Sequence, residues 1–310
     1  MRERDGAGTA EQAPPEYAAG PGGLAPAEGA PRWARPAWVR LIVMLVLFVL
    51  VEGIVSAINS ALDGNAVAGL LLGLVCAGLV LWGYAKAVGL LEHRQVAELA
   101  RDGAARSVWR GTLAGLGLFA VTIGVIAMFG GYGIAGWGSF GAFVACLGLM
   151  CAVAAVEEVL LRGVLFRIVE EMTGTWGALA VSALVFGVLH LVNAKATVWG
   201  ALAIAMEAGL MLGAAYAATR TLWLPIGLHL GWNFAEGGIF GVTVSGNGDG
   251  PAGLLKGTLS GPVALTGGGF GPEASVVAIL VCGVPTVLLL RRARRDGRIR
   301  PRRRRATAGR

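Results

Sequence analysis

The stretch SFGAFVACLGLMCAVAAVEEVLLRG, residues 139–163, decides the fold. Its first seventeen residues, Ser139 to Ala155, carry no charge, and as a helix they extend about 25 Å, most of a bilayer's hydrocarbon core. Two adjacent glutamates, Glu157 and Glu158, and Arg162 then follow on the same run. The reading outward from here turns on why charges stand at the end of a lipid-compatible helix.

The rest of the chain has the same character. Apolar residues make up 55% of 310 positions and the mean hydropathy is +0.68. Apolar runs recur at about 39–62, 66–91, 111–132, 139–161, 176–192, 198–218, 222–242 and 273–291. Lipid offers the backbone no partners, so such runs satisfy their own amides as helices. The expected fold is all-α: a polytopic membrane bundle of about eight helices, which excludes a soluble domain with a single core.

The net charge of +7 resides in one place. Residues 291–310 hold 11 Arg and one Asp, so this tail carries +10 and the other 290 residues −3. An arginine cluster directly after a span marks the cytoplasmic side and suits anionic lipid headgroups; it does not indicate nucleic acid. The 92–110 connection is basic, as is the approach to the first span with Arg32, Arg35 and Arg40, whereas 63–66 has no positive charge. With eight spans both termini are expected in the cytoplasm, in a multi-pass cell-membrane protein.

Three regions follow: residues 1–38, rich in Ala, Pro and Gly, as a disordered segment without a cleavable signal peptide; 39–291 as the helical domain; 292–310 as a basic tail. Residues 243–272 read as a flexible Gly-rich loop. Cys76, Cys146, Cys151 and Cys282 lie inside apolar runs at no metal-ligand spacing and imply no disulfide.

A charged side chain at a helix centre costs on the order of 2.5–3.5 kcal/mol, so ionisable groups inside spans are functional candidates. They are the Glu157/Glu158 pair, His190, Glu207 and His229. Glu158 and Arg162, four apart, share a face where they can pair. Glu157 is rotated about 100° from Glu158 and faces another neighbour. His229 and Asn233 are also four apart, and Phe186 lies one turn from His190.

If 141–172 and 175–192 form an antiparallel hairpin turning at TGT, Glu157 and His190 both sit roughly 22 Å from the turn, at one level. His229, only about seven residues into its span, fits this level less easily. Glu207 reads as structural or cavity-lining. Taken together these groups offer a carboxylate base, two imidazoles and an amide donor, the parts needed to activate water and stabilise an oxyanion.

The segments EEVLLR (Glu157, Glu158, Arg162), FGVLH (Phe186, His190) and HLGWN (His229, Asn233) resemble the EExxxR, FxxxH and HxxxN/D motifs of the CPBP intramembrane proteases. That family includes CAAX prenyl endopeptidases of the Rce1 type and bacterial bacteriocin-processing or immunity proteins. The motifs stand in family order within a protease-like core at 139–242. The resemblance implies that Glu157 activates the attacking water with help from His190, that His229 and Asn233 complete the site and stabilise the oxyanion, and that Glu158, Arg162 and Phe186 support it.

It leaves the cofactor open. Glu157, His190 and His229 could serve as zinc ligands with an open water position, or a desolvated carboxylate could act as base without metal; the absence of HExxH tilts the reading to the second. The expected substrate is a hydrophobic or lipidated, membrane-associated peptide, possible CAAX types included, with lipids as partners and no nucleic acid. GNGD (246–249) formally matches GxGD aspartyl proteases but lies in the Gly-rich loop without a YD partner. The alternative is a non-enzymatic membrane protein, an immunity-type scaffold or a proton-coupled transporter, although no repeated halves are visible.

Overall fold

The computed structural model describes residues 30–34, 36–61, 65–248 and 253–302. Most of the N-terminal segment expected to be disordered, Arg35, Asp249 of GNGD and residues 303–310 lie outside the described residues.

Each of the eight apolar runs is helical. The helices are α1 (Ala37–Ala61), α2 (Ala66–Glu92), α3 (Ala104–Met128), α4 (Phe140–Glu158), α5 (Arg167–Leu189), α6 (Val198–Ile204), α7 (Leu210–Thr219), α8 (Trp223–Asn233), the short α9 (Val263–Thr266) and α10 (Val276–Arg295). Three stretches of wider π-helical turns prolong or join them: Val159–Phe166 between α4 and α5, Ala205–Gly209 between α6 and α7, and Phe234–Ile239 after α8. Among the described residues, five continuous helical segments are long and apolar enough to cross a membrane. One of them, Phe140–Val192, reverses at Gly174, whose φ of 78° no helix permits. The protein is thus a polytopic membrane helical bundle.

Glycine sets how closely the helices approach. α3 carries Gly111 and Gly115, α8 carries Gly227 and Gly231, and the two i,i+4 pairs face each other. A Cβ on Gly231 would stand 2.1 Å from the Thr112 carbonyl oxygen, so the backbones touch only because it is absent. In lipid, where burial of apolar surface gives helices no reason to associate, such small-residue contact is a main source of packing energy. α2 and α4 cross in the same way at Gly73 and Gly148.

Two expectations change. α3 begins at Ala104, seven residues before its apolar run, because no breaker separates SVWR from the apolar part and Gly103, at φ 66°, starts the helix. The Gly-rich 243–272 region is built rather than a featureless loop. Its strand β2 (Leu255–Leu259) pairs antiparallel with β1 (Tyr132–Trp137), and Tyr132 Oη donates to the Phe240 carbonyl at 3.0 Å. The short alternation of small residues in these strands carries little hydropathy signal.

At the hairpin turn the charges pair off. Arg40 bonds Glu92 at 2.9 Å and Glu171 at 2.6 Å; Arg167 reaches Glu92 at 2.7 Å; Arg94 reaches Glu92 at 2.6 Å and Glu98 at 2.8 Å. Arg40 and Arg94 are therefore consumed in ion pairs and are not free cations for headgroups. The start of the basic tail is likewise docked: Arg300 and Thr175 exchange two hydrogen bonds, at 3.0 and 2.8 Å, beside Gly174.

Candidate functional site

The site grows from the end of α4. Glu158, fully buried, accepts a hydrogen bond from Arg162 Nη1 at 2.7 Å, as the four-residue spacing predicts. The π-helical turn that begins at Val159 widens the helix here, and such turns are frequent at functional sites. Arg162 Nη2 donates to the Gly209 carbonyl at 3.2 Å, and the guanidinium lies 5.1 Å from the centre of the Phe186 ring. A buried cation is thereby held on three sides: carboxylate, carbonyl and aromatic face.

α5 folds back along α4. Ser182 Oγ donates to the Leu161 carbonyl at 3.2 Å and Phe186 covers Arg162, which registers the two arms of the hairpin. Phe186 packs against the His190 ring at 4.7 Å and edge-on to the His229 ring at 6.1 Å. His190 Nδ1 lies 2.7 Å from the Phe186 carbonyl oxygen. A carbonyl only accepts, so Nδ1 carries the proton and Nε2 of the neutral ring is an acceptor.

His229 is not too shallow. It sits between Gly227 and Gly231, and their contact with α3 fixes α8 so that His229 Nδ1 meets Glu158 Oε1 at 3.0 Å. Its other nitrogen, Nε2, is 3.8 Å from Glu157 Oε2. It is thus His229, rather than His190, that makes this close approach to Glu157. Asn233 and His229 line one cavity of about 10 Å³, room for roughly one water molecule, with Phe186, Trp232, Ser245 and Glu273.

Exposure divides the set. Glu158, Arg162, His229 and Asn233 are buried, whereas Glu157 is 23% exposed and His190 is half-buried, so the site is approached from their side. Glu157 Oε2 is itself buried and has no hydrogen-bond partner among the described residues. Glu207, in the second π-helical stretch, is buried with neither oxygen hydrogen-bonded and the Cys282 thiol beside it.

Two further carboxyls escaped the sequence reading. Glu236 lies in the third π-helical stretch, three residues after Asn233, and Glu273 sits just before α10; both are buried. Glu236 falls inside the 222–242 apolar run, so the insertion cost that singled out Glu207 was a signal for it too. All four cysteines are free, with Cys76 and Cys282 buried. Among the described residues, no group of three or more His, Cys, Asp or Glu side chains is placed to hold a metal ion.

A family model described as type II CAAX prenyl endopeptidase Rce1-like matches residues 138–235. The match begins one residue before the α4 N-cap Ser139 and ends two residues after Asn233, so it contains all three motifs. No curated protein and no solved structure gives a match. With its apolar helices and this matched segment, the chain is a polytopic membrane protein whose residues 138–235 are similar to the Rce1-like type II CAAX prenyl endopeptidases.

Proposed function

We propose that the chain is an intramembrane endopeptidase that hydrolyses a peptide bond of a hydrophobic or lipidated, membrane-associated peptide, with Glu157 as the base. The observation that carries this reading is the pair formed by Glu157 Oε2, buried and unpartnered, and His229 Nε2, 3.8 Å away. With Nδ1 donating to Glu158, His229 turns its Nε2 edge toward that carboxylate oxygen. A water bound at this edge is placed to give its proton to Glu157.

The chemistry then follows from the residues. Glu157 takes a proton from the water as its oxygen bonds to the scissile carbonyl carbon. The carbonyl oxygen becomes an oxyanion, to which the Asn233 amide donates. Collapse of the tetrahedral species breaks the C–N bond, and the proton on Glu157 passes to the leaving amine. Glu158 and Arg162 hold the His229 tautomer, and Phe186 keeps both rings in place. His190 stands at the accessible side, where it assists the water and the leaving group. The proposed steps use these side chains alone.

The orientation proposed is the one the charge distribution supports, with both termini cytoplasmic, so that the basic tail faces anionic headgroups. The test is cleavage of a library of lipidated and hydrophobic peptides by purified protein in liposomes, for wild type and His190→Ala, with and without a strong zinc chelator. Cleavage that survives the chelator and falls in the variant is expected. Loss on chelation, restored by zinc, would replace the metal-free mechanism; Glu157-dependent flux across the liposome membrane without cleavage would replace the protease reading by a transporter.

A further inference from the structure

Residues beyond the matched domain reach into the site. Glu273 sits on a single 3-10 turn, Pro272–Ala274, 38 residues past the end of the family match and 1% exposed. Its Oε2 accepts a hydrogen bond of 2.6 Å from Ser245 Oγ, and both residues line the cavity that His229 and Asn233 line.

The attachment continues to the other imidazole. The Ser245 carbonyl accepts from Asn193 Nδ2 at 2.6 Å, and Asn193 donates its backbone N–H to the His190 carbonyl at 3.3 Å. Ser245 is held at φ 49°, a left-handed conformation that a non-glycine residue keeps only when its surroundings enforce it. Gly271, at φ 110°, lets the chain enter: a Cβ there would stand 2.2 Å from the Thr243 carbonyl oxygen and 3.3 Å from Glu236 Oε1. Glu236 approaches the same turn from the π-helical stretch after α8, its Oε1 beside Gly271.

We propose that Glu273, fixed by Ser245, is a positioning residue of the hydrolytic site: it closes the cavity that His229 and Asn233 line and, through Ser245 and Asn193, fixes the backbone at His190. This rests on the protease reading above. Around Glu273 in the shared cavity stand Ser245, His229, Asn233 and Phe186.

The experiment has two readouts on wild type, Glu273→Gln, Glu273→Asp and Ser245→Ala in detergent. One is peptide cleavage. The other is imidazole nitrogen NMR, made tractable by a chain with three histidines, of which His93 serves as internal control. Glu273→Gln is expected to lower kcat by about tenfold or more with KM within about twofold, to move the His190 and His229 signals, and to leave His93 alone; Glu273→Asp recovers part of both effects. Unmoved His190 and His229 signals, or a kcat loss that follows loss of folded protein, overturn the proposal while the protease reading stands. Moved signals in a preparation whose wild type cleaves nothing overturn the protease reading and, with it, the role in hydrolysis.

Discussion

Two buried clusters of charge adjoin the α4–α5 hairpin, one at its turn and one nearer its open end, and they are compensated differently. At the turn, Glu92 and Glu98 meet Arg40, Arg94 and Arg167, and no carboxylate oxygen of these two is left without a partner. In and around the site, one oxygen each of Glu157 and Glu158 and both of Glu207 and Glu236 have none among the described residues. A buried charge that is fully paired specifies structure; one left short of partners is costly in a bilayer and is retained where chemistry needs it. The difference separates framework from reactive groups within a single family of side chains.

The largest effect is expected where the two roles overlap. Glu158→Gln leaves Arg162 buried without its counter-charge and takes the charge from the acceptor of His229. Stability should fall by about 3–5 kcal/mol and cleavage by about 100-fold or more, read from melting in detergent and from kcat. Cleavage unchanged in a folded variant would break the contrast from the site side.

Glu92→Gln tests the other side. It strips one carboxylate from Arg40, Arg94 and Arg167 together, so a stability loss of about 3 kcal/mol or more is expected. The fraction that stays folded should cleave within about threefold of wild type, because nothing in that cluster touches the site. Gly231→Ala is smaller in stability, about 1–3 kcal/mol of overpacking against Thr112, but displaces the helix carrying His229. Its kcat loss should exceed that of Glu92→Gln, which separates geometry from global stability. Asp296→Asn is the control. This partly exposed carboxyl just after α10, held below its ordinary range by hydrogen bonds from Arg295 and then Arg292, should change neither melting nor cleavage.

The two clusters also differ in how far the sequence discloses them. The eight apolar runs were legible as helices, since lipid tolerates no other backbone solution. The pairing of Glu158 with Arg162 followed from the helical period. The depth of His229 did not follow: it depends on the glycine crossing of α3 and α8, a tertiary contact that hydropathy does not encode. Glu273 was hidden for a related reason, since at the very start of an apolar run it reads as a helix end and its contacts are tertiary. At the turn, the ion pairs of Arg40 were not legible because its carboxylate partners lie 52 and 131 positions away.

The central claim is that Glu157 is retained for chemistry and not for structure. It is tested most directly by measuring melting temperature and single-turnover cleavage of Glu157→Gln in the same detergent preparation as wild type. The account predicts an unchanged or slightly higher melting temperature, because an unpartnered buried carboxylate oxygen is removed, with cleavage reduced by about 100-fold or more. Full cleavage by the folded variant, or a collapse in melting temperature that accounts for all of the lost activity, would contradict it.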